Sequence, residues 1–233
     1  MFRSYYGFSK NPFDKQQLAT KEGFLSRDHR EMLARLNYLK ETRGIGLFTA
    51  HPGHGKTFAL NCFAKSLDCN LFDLKYICLT TVSTMEFYRQ LCTVLNIEPR
   101  FRKHEMFKAI QDRLHYLYKD KRRPLLLAID EAQDLSPAIL KDLKMITNHD
   151  YDSVNCFALI LVGEPHLNST LDKPIHDALR QRIVIHYDFK GLSDSEVHDY
   201  IAHKFSIAGA ATSILGEGTM PAIVSASMCS VLQ

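Results

Sequence analysis

Between an apolar tetrapeptide, Gly46-Leu47-Phe48-Thr49, and a stretch of helical spacing from Phe58 to Ala64, the chain carries Ala50-His51-Pro52-Gly53-His54-Gly55-Lys56-Thr57. A strand, a glycine-bearing loop and a helix in that order constrain the fold more than any other feature, because together they build a cradle for phosphate. Gly53 and Gly55 give the backbone the freedom to curl its N–H groups around the β- and γ-phosphates. Lys56 brings a point charge to those phosphates. Thr57 offers a hydroxyl to Mg²⁺ while opening a helix whose N-terminal dipole favours an anion. Ala50 stands where the strictest form of this Walker A pattern has glycine, a replacement the broader form admits. The loop from Ala50 to Thr57, with Phe58 beside it, is therefore read as the binding site for ATP and Mg²⁺. His51 and His54 occupy variable loop positions and are expected to face solvent.

Phosphate binding becomes hydrolysis only with a carboxylate that orders the metal and a group that orients water. Asp130-Glu131 supplies both types. Asp130 ends the continuous apolar run Pro124 to Ile129, where a Walker B aspartate orders Mg²⁺ and its waters. Glu131, one residue beyond the strand, is placed to polarise a water for in-line attack on the γ-phosphorus. Two arginines, Arg180 and Arg182, precede a further apolar strand, Ile183 to Tyr187. In an assembling NTPase an arginine here reaches the γ-phosphate held by a neighbouring copy and neutralises transition-state charge, and its position favours Arg182. The predicted catalytic set is thus Lys56, Glu131 and Arg182, with Thr57 and Asp130 toward the metal.

Periodicity orders the rest of the chain. Met32, Leu33, Leu36 and Leu39 share a helical face within Asp28 to Thr42, with Ser26 or Asp28 as its cap. A strand is expected over Leu74 to Thr80, helices over Met85 to Leu95 and Met106 to Tyr118, a helix over Pro137 to Thr147 and a buried strand over Cys156 to Val162. Strands alternating with helices predict a three-layer α/β/α sandwich around a mostly parallel five-stranded sheet. Ser193-Asp194-Ser195-Glu196 is a capping box opening a helix that carries Val197, Tyr200, Ile201 and Phe205. A boundary near Gly191-Leu192 divides a nucleotide-binding core, residues 1–190, from a small helical region, residues 191–233.

With 233 residues, 45% of them hydrophobic, the chain is large enough for such a core. Its 29 lysines and arginines against 26 acidic residues leave only +3, so nucleic-acid binding must come from local patches. The 6 cysteines (Cys62, Cys69, Cys78, Cys92, Cys156 and Cys229) are scattered without a C-x-x-C pair, the pattern of buried free thiols in a reducing compartment. The first residues lack the apolar core of a signal peptide, and the run from Cys156 to Val162 is too short to span a bilayer. A cytoplasmic protein without membrane contact is expected.

Five segments together resemble the AAA+ superfamily, and within it the group of the ATPase ExeA and the transposon-encoded helpers TnsC and TniB. They are Tyr6-Gly7-Phe8-Ser9-Lys10-Asn11-Pro12-Phe13-Asp14, the Walker A loop, Ala128 to Leu135, Leu161-Val162-Gly163-Glu164-Pro165-His166-Leu167 and Leu179-Arg180-Gln181-Arg182-Ile183. The resemblance places the polar sensor 1 residue at Glu164, where the family usually has glutamine. A glutamate there repels the γ-phosphate unless protonated or paired, so Glu164 is expected to point elsewhere. The resemblance makes residues 1–190 an ATPase core and residues 191–233 a partial helical lid, which in the family continues into a segment carrying the sensor 2 arginine. The chain stops at Cys229-Ser230-Val231-Leu232-Gln233 without one, which implies a truncated form with weakened turnover.

Likeness to the transposition helpers implies an ATP-dependent homo-oligomer that assembles on duplex DNA and assists a transposase or integrase. Likeness to ExeA implies ATP-driven assembly of a secretion complex; the membrane span and cell-wall-binding region of such proteins are absent from this sequence. A nucleotide-binding scaffold with little hydrolysis is the third reading. Candidate DNA contacts are the basic clusters Arg100-Phe101-Arg102-Lys103-His104 and Lys119-Asp120-Lys121-Arg122-Arg123, which suit phosphates with little sequence preference. Basic residues at helix ends also complement the helix dipole and stay solvated.

Overall fold

Apolar runs of six or seven residues become the five strands of one sheet: β1 (Gly44–Thr49), β2 (Asp73–Cys78), β3 (Leu125–Asp130), β4 (Phe157–Gly163) and β5 (Ile183–Asp188). The computed structural model describes residues 5–13, 23–78, 83–147, 155–210, 212–216 and 218–227. Asp14, Leu79, Thr80, Met228 and Cys229 to Gln233, all part of the sequence reading, lie outside the described residues. The strand order is β2-β3-β4-β1-β5, and every pairing is parallel. Every residue of β1, β3 and β4 is buried, as a strand covered on both faces requires.

Alternation along the strands sorts the side chains into two cores. Leu125, Leu127, Ile129, Leu159 and Leu161 pack with Phe87 and Leu91 of α3 (Thr84–Val94), Ile110 of α4 (Lys103–Lys119) and Leu143 of α5 (Pro137–Thr147). Their neighbours Leu126, Ala128, Ile160 and Val162 pack with Leu36 and Leu39 of α1 (Arg27–Thr42) and Leu60 and Phe63 of α2 (Lys56–Ser66). This is the expected α/β/α sandwich, and each fully buried leucine or phenylalanine stabilises it by about 1.5–3 kcal/mol. A capping box that the sequence reading passed over starts α3, where Ser83 and Glu86 each bind the other's backbone N–H.

The chain divides into two compact units: Met32–His51 with Lys56–Phe189, and Met1–Glu31 with Pro52–Gly55 and Lys190–Gln233. The first contains the sheet. The second is built on α6 (Asp194–Ile207) and α7 (Thr219–Ser227), whose core gathers Val197, Ile201 and Phe205 with Phe8, Met220 and Ile223. Its first helix opens with the expected capping box, in which Ser193 accepts from Glu196 N–H and Glu196 from Ser193 N–H. The aromatic opening segment belongs to the same unit. Phe8 lies 5.4 Å from Phe205 between ring centroids, and the Ser9 hydroxyl donates to Ala208 O at 2.9 Å.

The structure resolves the choice of helix cap and departs from the expected burial of the thiols. Ser26 caps α1 by accepting from His29 N–H at 3.3 Å, whereas the buried Asp28 carboxylate accepts from Lys190 N–H and Gly191 N–H at 2.8 Å each. The thiols of the described residues are free, but among them only Cys92 and Cys156 are buried; Cys69 and Cys78 are exposed and Cys62 lies between. Cys78 is exposed because β2 is an edge strand covered less completely than β3. Among the described residues, no helix is long and apolar enough to cross a membrane.

Candidate functional site

Lys56 is the first residue of α2, and its side chain turns back under the loop that precedes it. The ammonium donates to Ala50 O at 2.7 Å and reaches His51 O at 3.5 Å, with the residue only 7% exposed. No carboxylate pairs with it among the described residues. A buried ammonium satisfied only by carbonyls is costly to desolvate, and an anion at the helix N-terminus compensates it. This is the donor chemistry a phosphate fits.

Thr57 and Asp130 meet as the sequence spacing predicts. Thr57 Oγ1 donates to Asp130 Oδ2 at 2.8 Å, which joins the start of α2 to the end of β3. A residue the sequence reading missed approaches the same oxygen: Tyr76 Oη donates to Asp130 Oδ2 at 2.9 Å. Tyr76 sits on β2 opposite Ala128 and shares the Asp130 face of the sheet. Burial and then the hydrogen bond to Asp130 push its phenol well above the ordinary range, so it remains a donor. Among the described residues no group of three His, Cys, Asp or Glu side chains converges as a metal cage. A hydroxyl backed by one carboxylate suits Mg²⁺, which takes most of its ligands from water and phosphate.

Glu131 follows with a left-handed backbone, φ 54° and ψ 39°, an uncommon conformation for a residue with a Cβ. Its N–H donates to Asp130 Oδ1 at 3.0 Å, and its Oε2 accepts from Gln133 Nε2 at 2.6 Å. Gln133 in turn accepts from Glu164 N–H at 3.1 Å through Oε1. Glu164 itself pairs with His166, with Oε2 at 3.5 Å from Nδ1. Gln133 is thus the side chain that ties Glu131 to the end of β4, while Glu164 contributes a backbone donor.

At the root of the loop, Thr49 is 1% exposed and its hydroxyl donates to Asp188 Oδ1. The same carboxylate oxygen accepts from Asn168 Nδ2 at 2.8 Å and meets His186 Nε2 at 3.2 Å. Phe189 N–H donates to Thr49 O at 2.8 Å, and Ala50 N–H to Gly163 O at 3.0 Å. Burial alone raises the Asp188 carboxyl, but hydrogen bonds from Thr49, Asn168 and His186 outweigh it and hold it below its ordinary value. The chain leaving β1 is therefore clamped on both sides before it enters the loop.

The loop apex, Pro52 to Gly55, falls in the helical unit, and its two glycines take the left-handed conformation, φ 82° at Gly53 and 84° at Gly55. Within that unit His29 lies against Gly55, and burial lowers its basicity below the ordinary value. His51 is exposed as expected, whereas His54 is half-buried. Its ring occupies the space over Gly191, where an added Cβ would stand 3.1 Å from Cε1. Pro52 is exposed, and Phe58, in the first turn of α2, is half-buried.

Arg180 pairs with Asp172 at 3.1 Å and Asp177 at 3.3 Å, and Arg182 lines a cavity beside the first residues of β1. In the basic clusters Lys103 pairs with Asp142 at 2.6 Å, and Arg123 donates to Phe72 O at 3.3 Å. Arg100, Phe101, Arg102 and His104 are exposed, Phe101 at 95%.

A family model for the AAA domain matches residues 39–171. The chain is 29% identical over 212 residues to General secretion pathway protein A of Aeromonas hydrophila, covering 90% of this chain and 38% of that protein. Among solved structures, Cdc6p from Pyrobaculum aerophilum superposes with a TM-score of 0.62 at 16% identity, over 89% of this chain and 58% of that one. The Aeropyrum pernix ORC1 protein, solved in complex with DNA, superposes with a TM-score of 0.63 at 15% identity, over 89% of this chain and 56% of that one. The chain spans less than two thirds of the length of each of these relatives, and the structural likenesses describe a shared fold.

Proposed function

The chain belongs to the AAA domain family, and on that premise we propose that it is a Mg²⁺-dependent ATPase that assembles with copies of itself on duplex DNA and assists a transposase or integrase. The observation that carries the nucleotide assignment is the buried Lys56 ammonium. Among the described residues it is satisfied only by the Ala50 and His51 carbonyls, and it sits at the N-terminus of α2 beside the paired Thr57 and Asp130. In this reading Lys56 and the loop from Ala50 to Thr57 hold the phosphates. Thr57 and Asp130 hold Mg²⁺, which when bound neutralises charge on the β- and γ-phosphates. Glu131 orients and deprotonates the attacking water. Arg182 acts on the nucleotide of a second copy. Asp188, Thr49 and Asn168 keep the loop's entry fixed.

Exposed Arg100 and Arg102 on either side of Phe101 support a DNA-facing turn. The committed side chains of Lys103 and Arg123 count against those two residues as contacts. A second reading follows from the similarity to General secretion pathway protein A: ATP-driven assembly of a secretion complex, with no role for DNA. ATP turnover with and without duplex DNA, on the wild-type chain and on Glu131→Gln, separates these readings. DNA-stimulated turnover that Glu131→Gln abolishes is the expected result. Turnover indifferent to DNA favours secretion assembly, and nucleotide binding without turnover identifies a scaffold.

A further inference from the structure

His29 is the third residue of α1 and belongs, with the loop apex Pro52 to Gly55, to the helical unit. Its ring is set between two stretches of backbone. Nδ1 lies 3.2 Å from Phe24 O, and Nε2 is aimed at Gly55, where an added Cβ would collide with it and stand 3.1 Å from Cε1. The contact with Gly55 favours the charged ring, as only the carbonyl of that residue can; its N–H would favour a neutral one. A neutral imidazole has a single N–H for these two carbonyls, whereas an imidazolium has two. One carbonyl therefore faces a ring lone pair until the ring is protonated.

The charges around the ring leave it close to that change. Burial is the largest influence and lowers its basicity, against Asp28 beside it on α1 and Glu196 on α6, which raise it. Arg30 on α1 competes for the Glu196 carboxylate, and the N-terminal dipole of α1 also disfavours a cation at this position. Phe24, whose carbonyl the ring meets, packs 5.8 Å from the ring of His203 on α6. On the loop, the ionisable residues next to Gly55 in sequence are His54 and Lys56.

We propose that His29 is a proton-coupled positioning residue of the phosphate loop: a polyphosphate held by the loop draws a proton onto the ring, which then donates to both Phe24 O and Gly55 O. The inference rests on the assignment of Ala50 to Thr57 to phosphate binding and adds to it a control by acidity. The proton comes from solvent and returns there when the nucleotide leaves, and no covalent bond to carbon changes. Gly55 O belongs to the peptide unit whose N–H is that of Lys56, so an imidazolium on this carbonyl polarises a donor at the N-terminus of α2. A ring that is more basic in the complex takes up a proton on binding. Affinity is then highest in acid and falls as pH rises from the free ring's value to the bound one.

Calorimetric titration with a Mg²⁺-bound, non-hydrolysable ATP analogue, in buffers of different ionisation enthalpy, counts the protons taken up. At pH 7 the wild-type chain should take up roughly half a proton more per nucleotide than His29→Gln, which keeps a donor but does not titrate. Between pH 5.5 and 8 its affinity relative to His29→Gln should fall by about tenfold, the change that one unit of added basicity produces. The analogue's own phosphates titrate alike in both, so the difference isolates the ring. A flat ratio, or equal proton uptake, overturns the proposal and leaves His29 as packing against Gly55. Uptake that survives in His29→Gln but disappears in His54→Gln also overturns it, by assigning the proton to His54. A wild-type measurement removes dependence on the fold of a variant: one imidazole Cε1–H resonance should titrate about one unit higher with the analogue bound, and unchanged titration of every histidine would sink the idea. Lys56→Ala tests the premise separately. If it binds the analogue as wild type does, the phosphate-loop assignment itself fails; if its binding is lost while no His29-dependent uptake is seen, only the proton coupling fails.

Discussion

Gln133 Nε2 stands 2.6 Å from Glu131 Oε2, and the amide oxygen of the same side chain accepts from Glu164 N–H at 3.1 Å. The Glu131 carboxylate is therefore held by a side chain that is itself anchored to the end of β4. Glu131 also has an uncommon left-handed backbone, so its direction depends on such restraints.

Replacing Gln133 by leucine keeps the volume but removes both hydrogen bonds. Turnover should fall by about tenfold, while ATP affinity stays within about twofold because no phosphate contact is lost. Steady-state hydrolysis together with fluorescent-nucleotide binding tests this. A parallel loss of affinity would mean that Gln133 supports the fold of the site rather than the position of Glu131.

Tyr76 offers a test of the metal side. Its hydroxyl shares Asp130 Oδ2 with Thr57, so Tyr76→Phe removes one of the two donors that fix the carboxylate. Outer-shell partners of metal-binding groups typically contribute about 10–100-fold in affinity. The Mg²⁺ concentration giving half-maximal enhancement of ATP-analogue binding should rise accordingly, with Mg²⁺-free binding unchanged. An unaltered Mg²⁺ midpoint would restrict Tyr76 to packing at the sheet edge.

The phosphate loop, Asp130 and the capping box at Ser193 were legible because each is a local pattern, with its chemistry and its structure within a few residues. Strand existence was equally legible in the runs Leu125 to Ile129 and Phe157 to Val162. Strand order was not, and with it went Tyr76, Gln133 and Asp188. Tyr76 meets Asp130 only because β2 neighbours β3, and Asp188 meets Thr49 only because β5 neighbours β1. His54 looked solvent-facing because a loop position says nothing about Gly191, whose missing side chain leaves room for the ring. Phe8 and Phe13 stand in the aromatic opening motif, but their packing against Phe205 exists only once the helical unit is assembled.

Gly163 provides a stability test independent of activity. A Cβ there would stand 2.8 Å from Gln133 Oε1 and 3.0 Å from Leu167 Cδ2. Gly163→Ala should therefore destabilise the chain by about 1–3 kcal/mol, the usual cost of overpacking. Combining it with Gln133→Ala should recover part of that loss, since the two sites share the clash. Urea unfolding of the single and double variants reads the coupling, and strict additivity would place the strain elsewhere.

Asp188 predicts how stability depends on acidity. Its carboxyl is raised by burial but lowered further by Thr49, Asn168 and His186, leaving it below the ordinary aspartate value of about 3.9. A carboxyl depressed in the folded state binds its proton more readily once unfolded. Its contribution is complete above the unfolded value and is lost as pH falls through the folded one. Wild type should therefore exceed Asp188→Asn in stability near pH 5, and that margin should shrink as pH falls below about 4. Carboxylates elsewhere titrate in both proteins, so the difference between their melting curves isolates this group. His186 meets the same oxygen from two residues earlier on the strand. With His186→Asn also introduced, the margin should be smaller at every pH and still close on the acid side. A margin independent of pH would show that Asp188 holds Thr49 by hydrogen bonding alone, without a depressed carboxyl.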